Sequence, residues 1–254
     1  MRRNPETREV ALTEVHPVSF YSQFAEHYEA VFPFQEATYA FLKSWLPAGA
    51  RRVLDAGCGT GHYCGRFAAD GLEAIGVDLD PEMIAVARTH YPTPTFHCRN
   101  MLDVGTLAPP FDLAFCIGNS APHLTQEEFA RVVEQLARLL APGGAWAFQI
   151  INWDAVLATG TYPFRPRKLE PGDATFFREY QDVSESRIRF VTRLTAGART
   201  VFEGGVWLYP MRTAAYLDLH ARHGFELAGH FADFQGTPYE PLKDGGSVFV
   251  FRKR

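Results

Sequence analysis

The sequence predicts an α/β fold: a doubly wound, mostly parallel sheet of seven strands, with an antiparallel β insert after strand five. Three observations predict it. From Arg52 to Ile151, short apolar runs alternate with helical patterns, the rhythm of βα units in a parallel sheet. The first run, Val53-Leu54-Asp55-Ala56, opens into Gly57-Cys58-Gly59-Thr60-Gly61, and the second run ends in Asp78, seventeen residues past Gly61. After Asn152 strand-like runs follow one another through turns too short to hold a helix, which requires antiparallel pairing.

Taken in order, residues 1–17 read as a polar arm broken by Pro5 and Pro17. From Ser19, a candidate N-cap, Phe20, Phe24, Tyr28 and Val31 recur at three- or four-residue spacing and predict a helix. A second helix, Gln35 to Leu46, carries Tyr39, Phe41, Leu42 and Trp45 and stops at Pro47. These two form a cap over 19–46 that packs outside the sheet or lies across its mouth. Strands then follow at Arg52 to Asp55, Glu73 to Val77, Thr95 to Arg99, Phe111 to Ile117 and Ala145 to Ile151. The intervening helices are His62 to Ala69, Pro81 to His90 with proline in its first turn, and Thr125 to Leu140 with Glu128 completing a capping box.

After a short helix, Trp153 to Ala158, the stretch Thr161 to Gly172 reads as a proline- and arginine-rich loop. Three strands, Thr175 to Asp182, Arg187 to Leu194 and Thr200 to Tyr209, make the insert, 161–210, within a single domain of 1–254. A helix, Thr213 to His223, returns to the main sheet, which ends with Phe225 to Phe231 and Ser247 to Arg252.

Composition narrows the function classes. The chain has 254 residues, 46% hydrophobic and 21% charged, as expected of a soluble globular protein. Its net charge of −4 supplies no bulk attraction to nucleic acid, which is therefore not an expected partner. No 18 consecutive apolar residues occur and none follow Arg2-Arg3, so neither a membrane span nor a signal peptide is expected. The expected location is the cytoplasm. Cys58, Cys64, Cys98 and Cys116 fall singly, without a C-x-x-C pair, and His220 and His223 read as a surface pair. No metal is expected.

The glycine turn lets backbone approach a ligand where a Cβ would collide. Its spacing is G-x-G-x-G, not the G-x-G-x-x-G of a pyrophosphate cradle, and Asp55 stands two residues before the first glycine. A carboxylate facing that pocket suits a cationic amino group and repels a pyrophosphate. At about 4 Å and an effective dielectric near 20 the difference is roughly 4 kcal/mol. Asp78, ending the second strand, suits a ribose diol. A ribose with an amino-acid head and no phosphate describes S-adenosylmethionine.

The chain resembles a class I S-adenosylmethionine-dependent methyltransferase. The matching pieces are Val53 through Gly61, Gly76-Val77-Asp78-Leu79-Asp80-Pro81-Glu82-Met83, Phe111-Asp112-Leu113-Ala114 and Leu140-Ala141-Pro142-Gly143-Gly144. They cover about 50 to 151 and imply the Rossmann-like methyltransferase fold. The resemblance implies that Asp55, Gly57 and Gly59 hold the methionine end and Asp78 the ribose, with Cys58 and Gly61 of the same turn also in the cofactor site. It further implies that Leu79 and Met83 line the adenine pocket, with Asn100, Met101 and Leu102 along the adenine edge. The family usually has Asp where this chain has Asn100, whose amide oxygen still accepts a hydrogen bond. Phe20-Tyr21-Ser22-Gln23-Phe24-Ala25-Glu26-His27-Tyr28 resembles the helix many members place over the cofactor, which brings in Tyr28.

A narrower similarity follows strand four. Cys116-Ile117-Gly118-Asn119-Ser120-Ala121-Pro122-His123-Leu124 and Asn152-Trp153-Asp154-Ala155-Val156-Leu157-Ala158-Thr159-Gly160 are similar to glycine N-methyltransferase and its relatives. That implies a small-molecule acceptor, with N-methylation of an amine favoured over O-methylation, and adds Ile117 and Gly118 to the cofactor site. Orientation alone can supply on the order of 7–11 kcal/mol to such a displacement. His123 is the candidate general base, and Asn119 a candidate for holding substrate or cofactor; each also reads as a brace of its loop. Candidate substrate residues are Tyr21, Arg178, Tyr180 and Tyr239, the last on the expectation that it leaves a parallel strand at the same rim. A non-catalytic S-adenosylmethionine-binding protein and a nicotinamide-dependent oxidoreductase are the rival readings; the second lacks the expected turn spacing.

Overall fold

Alternation along one strand decides which side chains meet which layer. In the computed structural model, which describes residues 28–169, 172–243 and 245–254, β1 (Arg52–Ala56) sends Val53 and Asp55 to one face and Leu54 and Ala56 to the other. β1 pairs in parallel with β2 (Glu73–Asp78) and β4 (Phe111–Cys116), β2 with β3 (Thr95–Cys98), and β4 with β5 (Leu140–Ile151). β11 (Gly246–Lys253) adds to β5 antiparallel, and β10 (Phe225–Phe231) adds to β11 antiparallel. The order is β10-β11-β5-β4-β1-β2-β3. Two reversals restore direction, so β10 runs in the sense of the parallel strands, as expected.

One face of this sheet carries α2 (Glu36–Ser44), α3 (His62–Ala69) and α4 (Pro81–His90), which bury Tyr39, Leu42, Phe67 and Ile84 against Val53, Leu113 and Phe115. The other face carries α5 (Gln126–Leu139) and α7 (Thr213–Arg222), packed on Leu54, Trp146 and Phe148. Helix starts follow local chemistry. Asp80 accepts the Glu82 and Met83 N–H groups at 2.9 and 3.4 Å ahead of Pro81. The predicted capping box is present: Glu128 Oε2 accepts the Thr125 N–H at 2.9 Å and Thr125 Oγ1 accepts the Glu128 N–H at 3.2 Å. Of the predicted first helix the structure describes the turn α1 (Tyr28–Val31); Tyr21 and Ser19 lie outside the described residues.

The insert is a second sheet of four strands, not three: β6 (Arg167–Leu169), β7 (Ala174–Gln181), β8 (Ile188–Ala196) and β9 (Arg199–Leu208), in that order. β6 falls in the stretch read as a loop. It holds three residues, of which Leu169 alone is buried, so it is too short to show a period. Leu169, Phe176, Leu194, Phe202 and Val206 belong to the same apolar cluster as Trp153 and Val156 of α6 (Trp153–Thr159), which ties the insert to the end of β5.

His220 is the other correction. It is buried, not on the surface: its ring stacks 3.8 Å from Phe251, its Nε2 accepts the Trp146 indole N–H at 3.1 Å, and Nδ1 donates to the Tyr216 carbonyl at 2.6 Å. The helical spacing was right, but the apolar face of α7 is wide enough to include the imidazole. Burial pushes its pKa down to about 3, so it is a neutral core residue. Among the described residues no group of three or more His, Cys, Asp and Glu is placed to hold a metal, and no helix is long and apolar enough to cross a membrane.

Candidate active site

The carboxyl ends of the parallel strands open into a cavity of about 710 Å³, within the usual range for a small-molecule site. Its floor is the turn after β1. Gly57 and Cys58 donate their N–H groups to the Val77 carbonyl at 2.7 and 3.0 Å, which locks the turn to β2. Gly57 (φ +95°) and Gly59 (φ +52°) both take left-handed backbone and both line the cavity. A Cβ on Gly59 would sit 3.1 Å from the Tyr28 hydroxyl, so the cap rests directly on the turn. Phe32, Pro33, Gln35 and Thr38 extend this cover, which places the cap across the mouth.

Asp78 stands at the edge of the floor. Its Oδ2 accepts the Gly59 N–H at 2.8 Å and its Oδ1 accepts the Asp80 N–H at 2.9 Å. Burial raises its pKa from the ordinary carboxylate value, against the pull of these N–H groups. A carboxylate offers about four acceptor sites, so these contacts leave room for a hydroxyl donor from a diol. Next to it, Leu79 is 41% exposed, while Met83, Met101 and Leu102 supply apolar wall. An exposed leucine beside a carboxylate is what a ribose bearing a flat heterocycle would cover. Asn100 lines the same end, but its oxygen already accepts the Leu102 N–H at 2.9 Å as the cap of a 3₁₀ turn.

Ile117, Gly118, Asn119 and His123 form the wall after β4. Asn119 adopts φ +64°, and its Oδ1 accepts the Ile151 N–H at 3.0 Å, so its amide ties the β4 turn to the end of β5. Gln149 makes the matching tie, accepting the Gly118 N–H at 2.9 Å. A glutamine inside the apolar run of β5 was a readable signal for a site residue, and it was missed. His123 is half-buried, and desolvation of its ring pushes its pKa down to about 4, leaving it neutral at pH 7. Opposite, the insert contributes Arg178 and Tyr180, as expected, and also Phe164, Arg167 and Phe190.

Four expected site residues do not reach this cavity. Asp55 points to the other face of the sheet, where Cys64 Sγ lies 3.9 Å from Oδ2 and Oδ1 is buried without a hydrogen-bond partner among the described residues. Strand alternation decides this: Leu54 and Ala56 take one side and Asp55 the α3 side, and Asp55 is not among the residues that line the cavity. Burial, reinforced by Asp78, raises its pKa well above the ordinary range. Cys58 turns into the core, its Sγ 3.7 Å from the Gly59 carbonyl. Gly61 (φ +80°) serves packing, since a Cβ there would fall 2.6 Å from the Phe96 ring. Tyr239 lies beyond the right strand end, but a bridge between Phe231 and Pro238 folds the chain back. Its hydroxyl instead donates to Asn152 Oδ1 at 2.8 Å, and its ring stacks 3.8 Å from His230.

Residues 53–144 match the family model described as a methyltransferase domain. Residues 53–144 carry a methyltransferase domain, in keeping with the resemblance to class I, S-adenosylmethionine-dependent enzymes. The chain is 25% identical over 223 residues to the glycine/sarcosine/dimethylglycine N-methyltransferase of Actinopolyspora halophila, covering 80% of this chain and 36% of that protein. Over 104 residues it is 34% identical to the dTDP-4-amino-2,3,4,6-tetradeoxy-D-glucose N,N-dimethyltransferase of Saccharopolyspora spinosa, 41% of each chain. The chain thus spans less than half the length of either relative. In fold it is similar to the CcbJ methyltransferase from Streptomyces caelestis, with a TM-score of 0.78 over 94% of this chain and 99% of that one, at 22% identity. The methyltransferase cofactor is S-adenosylmethionine, which removes the nicotinamide reading.

Proposed function

We propose that this methyltransferase transfers a methyl group from S-adenosylmethionine to the nitrogen of a small-molecule amine. The observation that carries the reading is that the cavity is shared: it runs without interruption from the Gly57–Gly59 turn and Asp78 to the aromatic wall of the insert. Asp78 would hold the ribose, Leu79, Met83, Met101 and Leu102 the base, and the glycine turn under Tyr28 the amino-acid end. When bound, the sulfonium supplies an activated methyl and a good leaving group. The chain's own task is to present a neutral nucleophile and keep water out, for which the cap and the insert stand on the cavity's walls.

His123 favours nitrogen over oxygen. A hydroxyl acceptor needs a base poised near the working pH, and a histidine held at about 4 is a weak one. Glu128 lines the cavity but is engaged in the α5 capping box. An amine that arrives neutral needs alignment only. Relatives that act on glycine, sarcosine and an amino sugar support the same preference.

Calorimetry with S-adenosylmethionine is the first measurement, and absence of heat at millimolar ligand would sink the reading. A panel of amines and phenols, followed by release of S-adenosylhomocysteine, is the second. Turnover of amines is expected; turnover confined to phenols would reassign the reaction to oxygen.

A further inference from the structure

The insert places a cationic, aromatic face across the cavity from Asp78. Along β7, Phe176, Arg178 and Tyr180 share one side, and β8 sets Leu194, Thr192 and Phe190 opposite them in register. β6 adds Arg167, directly opposite Phe176. Arg178 therefore lies among rings, its guanidinium carbon 5.0 Å from the Phe164 centroid and 5.7 Å from that of Phe176. Among the described residues its buried Nε has no hydrogen-bond partner, and its Nη2 reaches the Arg165 carbonyl at a marginal 3.4 Å.

Among the described residues neither arginine forms an ion pair. Arg167 gives one N–H to the Val31 carbonyl, a neutral partner. The carboxylates lining the cavity are engaged elsewhere: Asp80 caps α4, Glu128 caps α5, and Asp78 holds the glycine turn. Burial lowers the pKa of Arg178, and the nearby charge of Arg167 lowers it further. A partly buried guanidinium with an unsatisfied Nε–H and a like-charged neighbour is an unfavourable arrangement until an anion joins it. The Nε–Nη2 edge is the fork that receives two oxygens of one anion.

We propose that this face is an oxyanion subsite, so that the methyl acceptor carries a carboxylate or phosphate received by Arg178 and Arg167 on a flat body packed among Phe164, Tyr180 and Phe190. The proposal rests on the reading that the opposite end of the cavity holds S-adenosylmethionine.

The test titrates benzoate, phenyl phosphate and the neutral isostere benzamide into the full chain saturated with S-adenosylhomocysteine. Benzoate or phenyl phosphate is expected to bind at least about tenfold tighter than benzamide. Arg178→Gln and Arg167→Gln should each bring the anion toward the benzamide level, and Arg178→Lys should retain part of the preference, because an ammonium keeps the charge and loses the fork. Benzoate as the tighter anion identifies a carboxylate, and phenyl phosphate a phosphate that draws on both arginines. Equal binding of benzamide, or a preference that survives in both Gln variants, overturns the subsite. Unchanged S-adenosylhomocysteine affinity reports that Arg178→Gln is folded; should it fail, Arg167→Gln, on the exposed edge strand, decides alone. If S-adenosylhomocysteine does not bind the parent chain, it is the cofactor reading that fails. The anion series in the ligand-free chain then still decides the subsite.

Discussion

The two ends of the cavity are built by different means. The floor below β1 and β2 is backbone: two left-handed glycines, N–H groups locked to Val77, and one carboxylate, Asp78, that braces the turn it borders. The wall from the insert is side chain: Arg178, Tyr180, Phe164 and Phe190, drawn from separate strands and a loop and packed ring against ring at 4.9 to 6.0 Å. A backbone site tolerates little change and suits a ligand that stays the same. A side-chain wall can be rebuilt one residue at a time, as a changing acceptor demands.

The largest expected effect sets the two ends apart by pH. Asp55, beneath the floor, has a raised pKa, so the folded state keeps a proton that the unfolded state has lost; its contribution fades as pH rises from about 4. His123, in the wall, has a lowered pKa, so the unfolded state takes the proton first, and stability falls as pH drops from about 6.5 to about 4. That term amounts to at most about 3 kcal/mol. Denaturant midpoints against pH should show both slopes, with Asp55→Asn flattening the first and His123→Gln the second. One slope vanishing in both variants would end the distinction.

Next in size, Asp78→Ala should weaken S-adenosylmethionine by about 10- to 100-fold in calorimetry, since charge-assisted hydrogen bonds are worth about 1.5–3 kcal/mol. Tyr180→Ala should leave that affinity within about twofold and raise the acceptor KM by roughly fivefold, the scale of a lost ring contact. A shared loss in both variants would mean that the ends are not separable. Smallest is a pair at Asn119. Asn119→Gly keeps the left-handed backbone and loses the Ile151 hydrogen bond, and should lower stability by about 1 kcal/mol. Asn119→Ala adds strain at φ +64° and should lose about 1 kcal/mol more in a thermal melt. If turnover falls far beyond what these losses explain, the amide touches the reactants.

Much of the first end was legible because its signals are local. The glycine spacing, Asp78 at a strand terminus and the Thr125–Glu128 capping box all depend on neighbours in the chain. The placement of Asp55 off the cavity lining has the same origin: position two residues before a glycine says that a carboxylate is near the turn, while the face it takes depends on the register of β1 between β2 and β4. Tyr239 fails similarly. The strand direction was read correctly, but the Phe231–Pro238 bridge that turns the chain away leaves no local mark.

The sequence by itself determined the alternating α/β order, the ends of most helices, the antiparallel insert and the identity of the turn, because periodicity and capping act over a few residues. Only the tertiary structure decided that Asp55 belongs to the core and that His220 is a buried, neutral partner of Trp146. It also brought Arg167 and Arg178 onto one wall with three aromatic rings. Those outcomes depend on sheet register and on the pairing of β6 with β7, contacts between segments that no short window of sequence contains.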